Sequence, residues 1–351
     1  MAGQMNARCW RCGGQSSAPR SRAVVCHTKL SPSLHSFRMP RQGESYDVVL
    51  SSGFLAFANH SGFLQAVEEA GIHVSGIMGT SAGALAGSLY AAGYTPLEVA
   101  QHLRASPPIQ LLKPSWEPWR GGLLSLEGVV ERLSALLPPT FEELERDFAV
   151  GVVTADGRHE IIDSGPLPEA VAASAAIPFV FSSVDVPGKY SGLKDGGVVD
   201  RIGLKAWRDR RRRQSLAGLL DARGALPPRA ARPPPCLVHV IERSSPFSGA
   251  DNAAATGEAD VHVCRSPKSG VNFWSLGDFD NDFERSRRRA GPALRQLLAP
   301  SYAAAASAGV SGVVVGGAAA AGSPLDFGAA ALARPAAAAR GGRVVLARQA
   351  P

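Results

Sequence analysis

The chain has 351 residues, 45% of them hydrophobic, enough apolar material for a sizeable core in one large domain or two small ones. Its formal charge of +7 suggests a nucleic-acid partner only until the charge is located. Residues 1–43 hold Arg8, Arg11, Arg20, Arg22, Lys29, Arg38 and Arg41 and no acid, which leaves 30 of the 37 basic residues to balance 30 acidic ones. A nucleic-acid-binding surface is therefore not expected, and no run reaches the roughly 18 uninterrupted apolar residues of a membrane span, so membrane contact would be peripheral.

Residues 1–43 are rich in Arg and Ser, lack acids and show no apolar periodicity, the composition of an organelle transit peptide, with a disordered basic tail as the plainer reading. The serines favour a plastid over a mitochondrion. Cys9-Trp10-Arg11-Cys12 has the spacing of half a zinc site, but no second pair completes it, so neither a metal nor another cofactor is expected. Cys236 and Cys264 stand alone later in the chain, which implies no disulfide framework and fits a reducing compartment.

Order begins at Tyr46–Ser51, a short buried strand leading into a loop around Gly53. A helix is expected over His60–Ala70, with Phe63, Leu64 and Val67 on one face and Gly71 as its stop. The apolar run Ile72–Met78 reads as a second strand, Gly79-Thr80-Ser81-Ala82-Gly83 as a sharp turn, and Ala84–Ala92 as a helix. Thr95 caps a further helix with Pro96 at its first position. Residues 106–122, with several prolines, Trp116 and Trp119, suggest an irregular flap over a pocket, core packing of the tryptophans being the alternative.

Ser125–Leu137 has helical spacing, and Thr140-Phe141-Glu142-Glu143 has the pattern of a capping box. Phe148–Thr154 and His159–Ile162 read as a strand pair turned at Asp156-Gly157. Leu167–Ala176 reads as a helix ended by Pro178, and Phe179–Val186 as extended. Residues 208–235, with five arginines between 208 and 213 followed by prolines, look like a solvated basic insertion; a phosphate-binding or anionic-lipid patch is the sharper reading. Leu237–Ile241 and Val261–Cys264 return as strands and Asp282–Leu298 as a charged amphipathic helix. The Ala- and Gly-dominated residues 301–351 read as a low-complexity tail.

Strands and helices alternate through the middle of the chain, and the strands are apolar runs without in-out alternation. This argues for an α/β domain over residues 44–300 with a mostly parallel central sheet flanked by helices.

The chemistry centres on Ser81. A serine at the apex of a strand-turn-helix sits in a strained backbone conformation, and glycines two residues either side, Gly79 and Gly83, let strand and helix pass closely. Its hydroxyl then stands at a helix N-terminus, where the amide of Ala82 and the helix dipole favour developing negative charge. A serine hydroxyl needs a base. Lys194-Asp195-Gly196-Gly197 offers a carboxylate in a tight loop, although Asp-Gly-Gly by itself is only a turn signal.

These residues resemble the patatin-like phospholipase family over about 46–205. The elbow GTSAGAL, the segment TFEELERDFAVGVVTADGRHEIIDSGPL, the run AVAASAAIPFVF and the closing KDGGVVDR all occur in the family's order. The resemblance implies a three-layer hydrolase and a Ser-Asp dyad. Ser81 would attack a fatty-acyl ester of a glycerolipid or phospholipid, at a membrane-lipid or lipid-droplet surface, and Asp195 would serve as general base without a metal. Where the family has a glycine-rich oxyanion loop followed by a basic residue, this chain has Ser51-Ser52-Gly53-Phe54-Leu55-Ala56-Phe57, with one glycine and no Arg or Lys. The amides of Ser52, Gly53 and Phe54, assisted by Ala82, would hold the oxyanion. Two alternatives stay open: a Ser-Asp-His triad using His239 or His262, and a lipid-binding relative whose altered loop has weakened turnover.

Overall fold

The computed structural model describes residues 45–116, 119, 121–221, 233–243, 248–251, 258 and 260–298. The basic segment 1–43 and the tail 301–351 lie outside the described residues. The strands β1 (Tyr46–Leu50), β2 (Val74–Thr80), β5 (Asp147–Val153), β10 (Cys236–Ile241) and β11 (Val261–Ser266) run parallel in the spatial order β11-β10-β1-β2-β5. Antiparallel strands β6 (His159–Ile162), β9 (Tyr190–Asp195) and β8 (Val184–Val186) complete this sheet.

Alternation along each strand assigns its side chains to two faces. Val48 and Leu50 of β1, Ile77 of β2 and Phe148, Val150 and Val152 of β5 pack on one side. That core also takes in α1 (Phe57–Glu69), α2 (Ala82–Ala91), α5 (Leu167–Ser174) and the last turns of α7 (Phe279–Leu298). Val49, Met78 and Ala149 face the other way onto Leu204 and Trp207 of α6 (Leu204–Asp221). The result is a three-layer α/β domain with a mostly parallel central sheet between helices. The strands are buried on both faces, which is why they read as unbroken apolar runs.

The helix expected from His60 starts earlier, at Phe57, and the helix expected from Asp282 starts at Phe279. Thr95 closes a full capping box on α3 (Pro96–Arg104), its Oγ1 accepting from the Glu98 amide. At Thr140 the corresponding pattern caps no α-helix. Phe141–Glu143 is a single 3₁₀ turn, and the Thr140 hydroxyl donates to Glu143 at 2.9 Å. The helix expected over Ser125–Leu137 is α4 (Glu127–Ser134). A second small sheet joins β3 (Lys113–Pro114), β4 (Gly122–Ser125) and β7 (Phe179–Phe181), and Trp116 and Trp119 beside it are exposed rather than packed in the core.

The arginine run is the clearest departure from the sequence reading. Residues 208–221 are no solvated insertion: they continue α6, and Arg208 and Arg210 are buried. Arg210 bonds both carboxylate oxygens of Asp147 (2.8 and 2.7 Å), Arg211 bridges Asp47 and Asp147 (3.0 and 2.9 Å), and Arg208 pairs with Glu258 and Asp260. Trp207 donates its indole N–H to Asp47 at 3.1 Å. These guanidinium groups neutralise carboxylates at the amino ends of β1 and β5 and just before β11, so they are not free for phosphate or anionic lipid. Residues 222–232 of the expected insertion lie outside the described residues.

Candidate active site

Strand β5 brings the two ends of the site together. Over Val150–Val153 one edge of β5 is taken by β6. Along the opposite edge β2 pairs as far as Thr80 opposite Gly151, and β9 takes over at the next residue, with Asp195 opposite Val152. Ser81 follows Thr80 directly, so the tip of β2 and the tip of β9 meet end to end.

Ser81 sits at the head of α2 with φ 56° and ψ −118°. For a non-glycine residue such a conformation costs about 1–3 kcal/mol and is held only by its surroundings. A Cβ on Gly79 would lie 2.5 Å from the Ala84 Cα, and one on Gly83 would lie 2.3 Å from the Leu50 carbonyl oxygen. Glycine at these positions is thus what lets α2 fold back over β2 and against the end of β1. The Ser81 amide donates to the Ser174 hydroxyl (3.0 Å), which donates onward to the Gly151 carbonyl (2.6 Å).

The Ser81 side chain lies within interaction range of the Asp195 carboxylate and draws its pKa down. Asp195 is 4% exposed, and the Gly197 amide donates to it, at 2.7 Å. Burial pushes its pKa up to about 6, and the neutral Ser81 side chain and Gly197 amide offset only part of that rise. Gly196 and Gly197 keep the loop flat: a Cβ on the first would strike the Gly151 carbonyl, on the second the Ser52 side chain.

Of the amides expected to receive an oxyanion, that of Ser52 is committed. It donates to the Arg201 carbonyl at 2.6 Å, so Ser52 is corrected from donor to anchor. The amides of Gly53, Phe54 and Ala82 make no hydrogen bond among the described residues, and Phe54 and Ala82 share a cavity wall with Ser81. Ile241 holds Gly53 in place, since a Cβ there would lie 2.8 Å from the Ile241 Cβ.

Arg201 and Ser174 are site residues that sequence reasoning missed. Arg201 is 1% exposed and donates to the carbonyls of Ser52 (3.1 Å) and Ile241 (2.7 Å) and to Asp251 (2.6 Å), pinning the loop between β1 and α1. Both residues lie inside the quoted runs KDGGVVDR and AVAASAAIPFVF, but which backbone groups they tie depends on contacts far along the chain.

A cavity of about 120 Å³ opens at Ser81. Its wall is mostly apolar, with Leu85, Leu89, Leu133, Ile177 and Phe181 among its members, the lining an acyl chain requires. His239 is buried on β10, stacked on Phe63, with its ring nitrogens engaged by His60 (3.0 Å) and Ser266 (2.9 Å). Burial depresses its pKa, with His60 adding to the effect. His262 lies on β11, paired with Leu237 of β10, and burial lowers its pKa as well. Neither histidine hydrogen-bonds Ser81 or Asp195. Among the described residues no His, Cys, Asp and Glu group is arranged to hold a metal ion, and no helix is long and apolar enough to cross a membrane.

Residues 48–206 match the model of the patatin-like phospholipase family. Uncharacterised NTE-family proteins of Mycobacterium tuberculosis and Mycobacterium bovis are 30% identical over 190 residues, 53% of this chain and 52% of theirs. The chain thus spans about half the length of the curated relatives it matches. Among solved structures, VipD of Legionella pneumophila aligns with TM-score 0.36 at 14% identity, over 74% of this chain and 69% of that one. The type III effector ExoU of Pseudomonas aeruginosa aligns with TM-score 0.42 at 14% identity, over 74% and 54%. The mycobacterial relatives are bacterial proteins, which points away from a plastid or mitochondrion and corrects the organelle expectation.

Proposed function

We propose, from the match of residues 48–206 to the patatin-like phospholipase family model, that the chain hydrolyses fatty-acyl esters of glycerolipids or phospholipids with Ser81 as nucleophile and Asp195 as general base. One observation carries the reading: a serine hydroxyl on a strained elbow at an apolar cavity stands beside a buried carboxylate that, among the described residues, pairs with no cation.

In the first step Asp195 takes the Ser81 proton as Oγ bonds to the ester carbonyl carbon. The carbonyl oxygen becomes an oxyanion within reach of the free amides of Gly53, Phe54 and Ala82. The tetrahedral adduct expels the alcohol, which leaves with the proton from Asp195, and the acyl group stays on Ser81. Water then attacks the acyl-enzyme with Asp195 again as base, releasing the fatty acid and restoring the hydroxyl. A carboxylate raised to about 6 is a stronger base than an ordinary one and is still mostly ionised at neutral pH.

Contact with a lipid surface is supported by the small sheet beside the cavity. Trp116, Trp119, Leu123, Phe179 and Trp274 are each more than 70% exposed there, and Phe179 holds φ 69° while presenting its ring to solvent. Aromatic rings of this kind partition to membrane–water interfaces. The triad alternative is disfavoured by the engagement of both His239 ring nitrogens.

The test is product analysis of the full chain with a mixed membrane-lipid extract, beside Ser81→Ala and Asp195→Asn. Release of fatty acid by the wild type, lost in both variants with the fold intact, is the expected result. Retained hydrolysis in either variant overturns the dyad. Lipid binding without hydrolysis, and without covalent labelling of Ser81 by a fluorophosphonate, favours a binding module.

A further inference from the structure

Besides Ser81, three polar side chains interrupt the apolar cavity wall: His102, Ser106 and Arg132. Among the described residues, neither Ser106 nor Arg132 makes a hydrogen bond or an ion pair. His102 leans its ring edge-on against Tyr94 at 4.9 Å, and its charged neighbour one turn back, Glu98, is already engaged by the Thr95 hydroxyl and amide. Arg132 is the one Lys, Arg, Asp or Glu side chain on the wall, whose other members are Leu, Phe, Val, Ile, Ala and Pro apart from Ser81, His102 and Ser106. An unpaired guanidinium half-buried against apolar side chains is costly unless something brings it an anion.

The fold places these groups away from the reacting end. Leu126, preceding α4, packs on Ala176, whose carbonyl accepts the Asp195 amide at 3.0 Å. The start of α4 therefore lies beside Asp195, and Arg132, six residues further on, is displaced by about 9 Å at the 1.5 Å rise of a helix. Tyr94 ties α3 to α4 at that level. Its hydroxyl donates to the Leu136 carbonyl at 2.9 Å, one turn beyond Arg132, and its ring meets His102. Ser106 lies just past the end of α3 and lines the same cavity.

We propose that Arg132, with His102 and Ser106, forms a subsite for an oxyanion carried by the substrate. The ligand is either the phosphate of a lipid headgroup or the distal carboxylate of an acyl chain acidic at both ends. This deepens the acyl-hydrolase reading, on which it rests, by making the preferred esters anionic. Guanidinium presents paired N–H donors to a phosphate or carboxylate, a hydroxyl adds a third, and the low-polarity wall strengthens each bond.

The test uses the full chain carrying Ser81→Ala, so that nothing turns over. Octyl phosphate, monomethyl octanedioate and octanol, matched in chain length, are titrated by calorimetry. One or both anions are expected to bind at least tenfold tighter than the alcohol. Arg132→Gln should abolish that preference, and Arg132→Lys should restore part of it. A preference for the phosphate identifies the headgroup as the source, and one for the carboxylate identifies the acyl terminus. Equal affinity for anions and alcohol, or a preference that survives Arg132→Gln, overturns the proposal. In the Ser81-intact chain, Arg132→Gln should raise KM for a diacyl phosphatidic acid about tenfold more than for the matching diacylglycerol; an equal rise overturns it too. An anion preference in a chain that hydrolyses no ester leaves this subsite standing while the hydrolase reading falls.

Discussion

The two ends of the central sheet both bury aspartates, and they treat them in opposite ways. At the amino end Asp47 and Asp147 face the guanidinium groups of Arg210 and Arg211, with Trp207 and Ser75 donating to Asp47 as well. At the carboxyl end, among the described residues, Asp195 meets only the Ser81 side chain and a backbone amide. Burial raises the pKa of Asp47 even against Arg211, whereas the arginines pull Asp147 below the usual carboxylate range. The direction of a shift therefore does not separate the ends. The partners do: a carboxylate matched by cations is committed to structure, and one held by a neutral donor beside a hydroxyl and a cavity keeps its basicity for a proton.

Paired substitutions test this contrast most severely. Asp195→Asn should lower kcat at least about 10³-fold while leaving the melting temperature near that of the wild type, measured by ester hydrolysis and calorimetry. Asp147→Ala should do the reverse. It removes charge-assisted hydrogen bonds from Arg210 and Arg211, which keep Asp163 and Asp47 as partners, and should cost about 1–3 kcal/mol of stability, yet the folded fraction should turn over ester at close to the wild-type rate. If Asp147→Ala silences the folded protein, or Asp195→Asn unfolds it, the division between the two ends is wrong.

A pH titration probes the same difference with a smaller effect. With the pKa at about 6, kcat/KM should fall about tenfold for each pH unit below 6, as the base becomes protonated. The linked stability runs in the opposite direction. A carboxyl whose pKa is raised on folding contributes stability that is full below its unfolded pKa near 3.8 and is lost as pH rises through about 6. Melting temperature should therefore carry a component that declines between pH 4 and pH 7 and disappears in Asp195→Asn. A flat activity profile across pH 5–7 would mean that Asp195 is not the group that accepts the proton.

The contrast also explains which parts of the molecule were legible in the sequence. The elbow was, because Gly79, Ser81 and Gly83 answer to one another within five residues and their spacing is itself the steric requirement. The sheet was too, because burial on both faces writes unbroken apolar runs. The arginines of α6 were misread because their partners, Asp47 and Asp147, lie far away in the chain; a run of charge without visible partners looks solvated. Ser52 was misread for the same reason, its amide being claimed by the carbonyl of Arg201. Local geometry is written in local sequence, whereas compensation across the fold is not.

Ser174 offers the finest test, since it belongs to the carboxyl end without touching the reacting atoms. Its hydroxyl accepts from the Ser81 amide and donates to the Gly151 carbonyl, so it holds the Ser81 backbone at φ 56° against the edge of β5. Ser174→Ala leaves two buried backbone groups unpaired, which should cost about 1–3 kcal/mol of stability. If Ser174 is a positioning residue, kcat should also fall about tenfold with KM little changed, and Ser174→Thr should recover much of the loss. The activity midpoint near pH 6 should stay where it is, because Asp195 keeps both of its neutral neighbours. A variant that is merely less stable, with unchanged kcat per fluorophosphonate-labelled Ser81, would show that the elbow is held by its glycines alone.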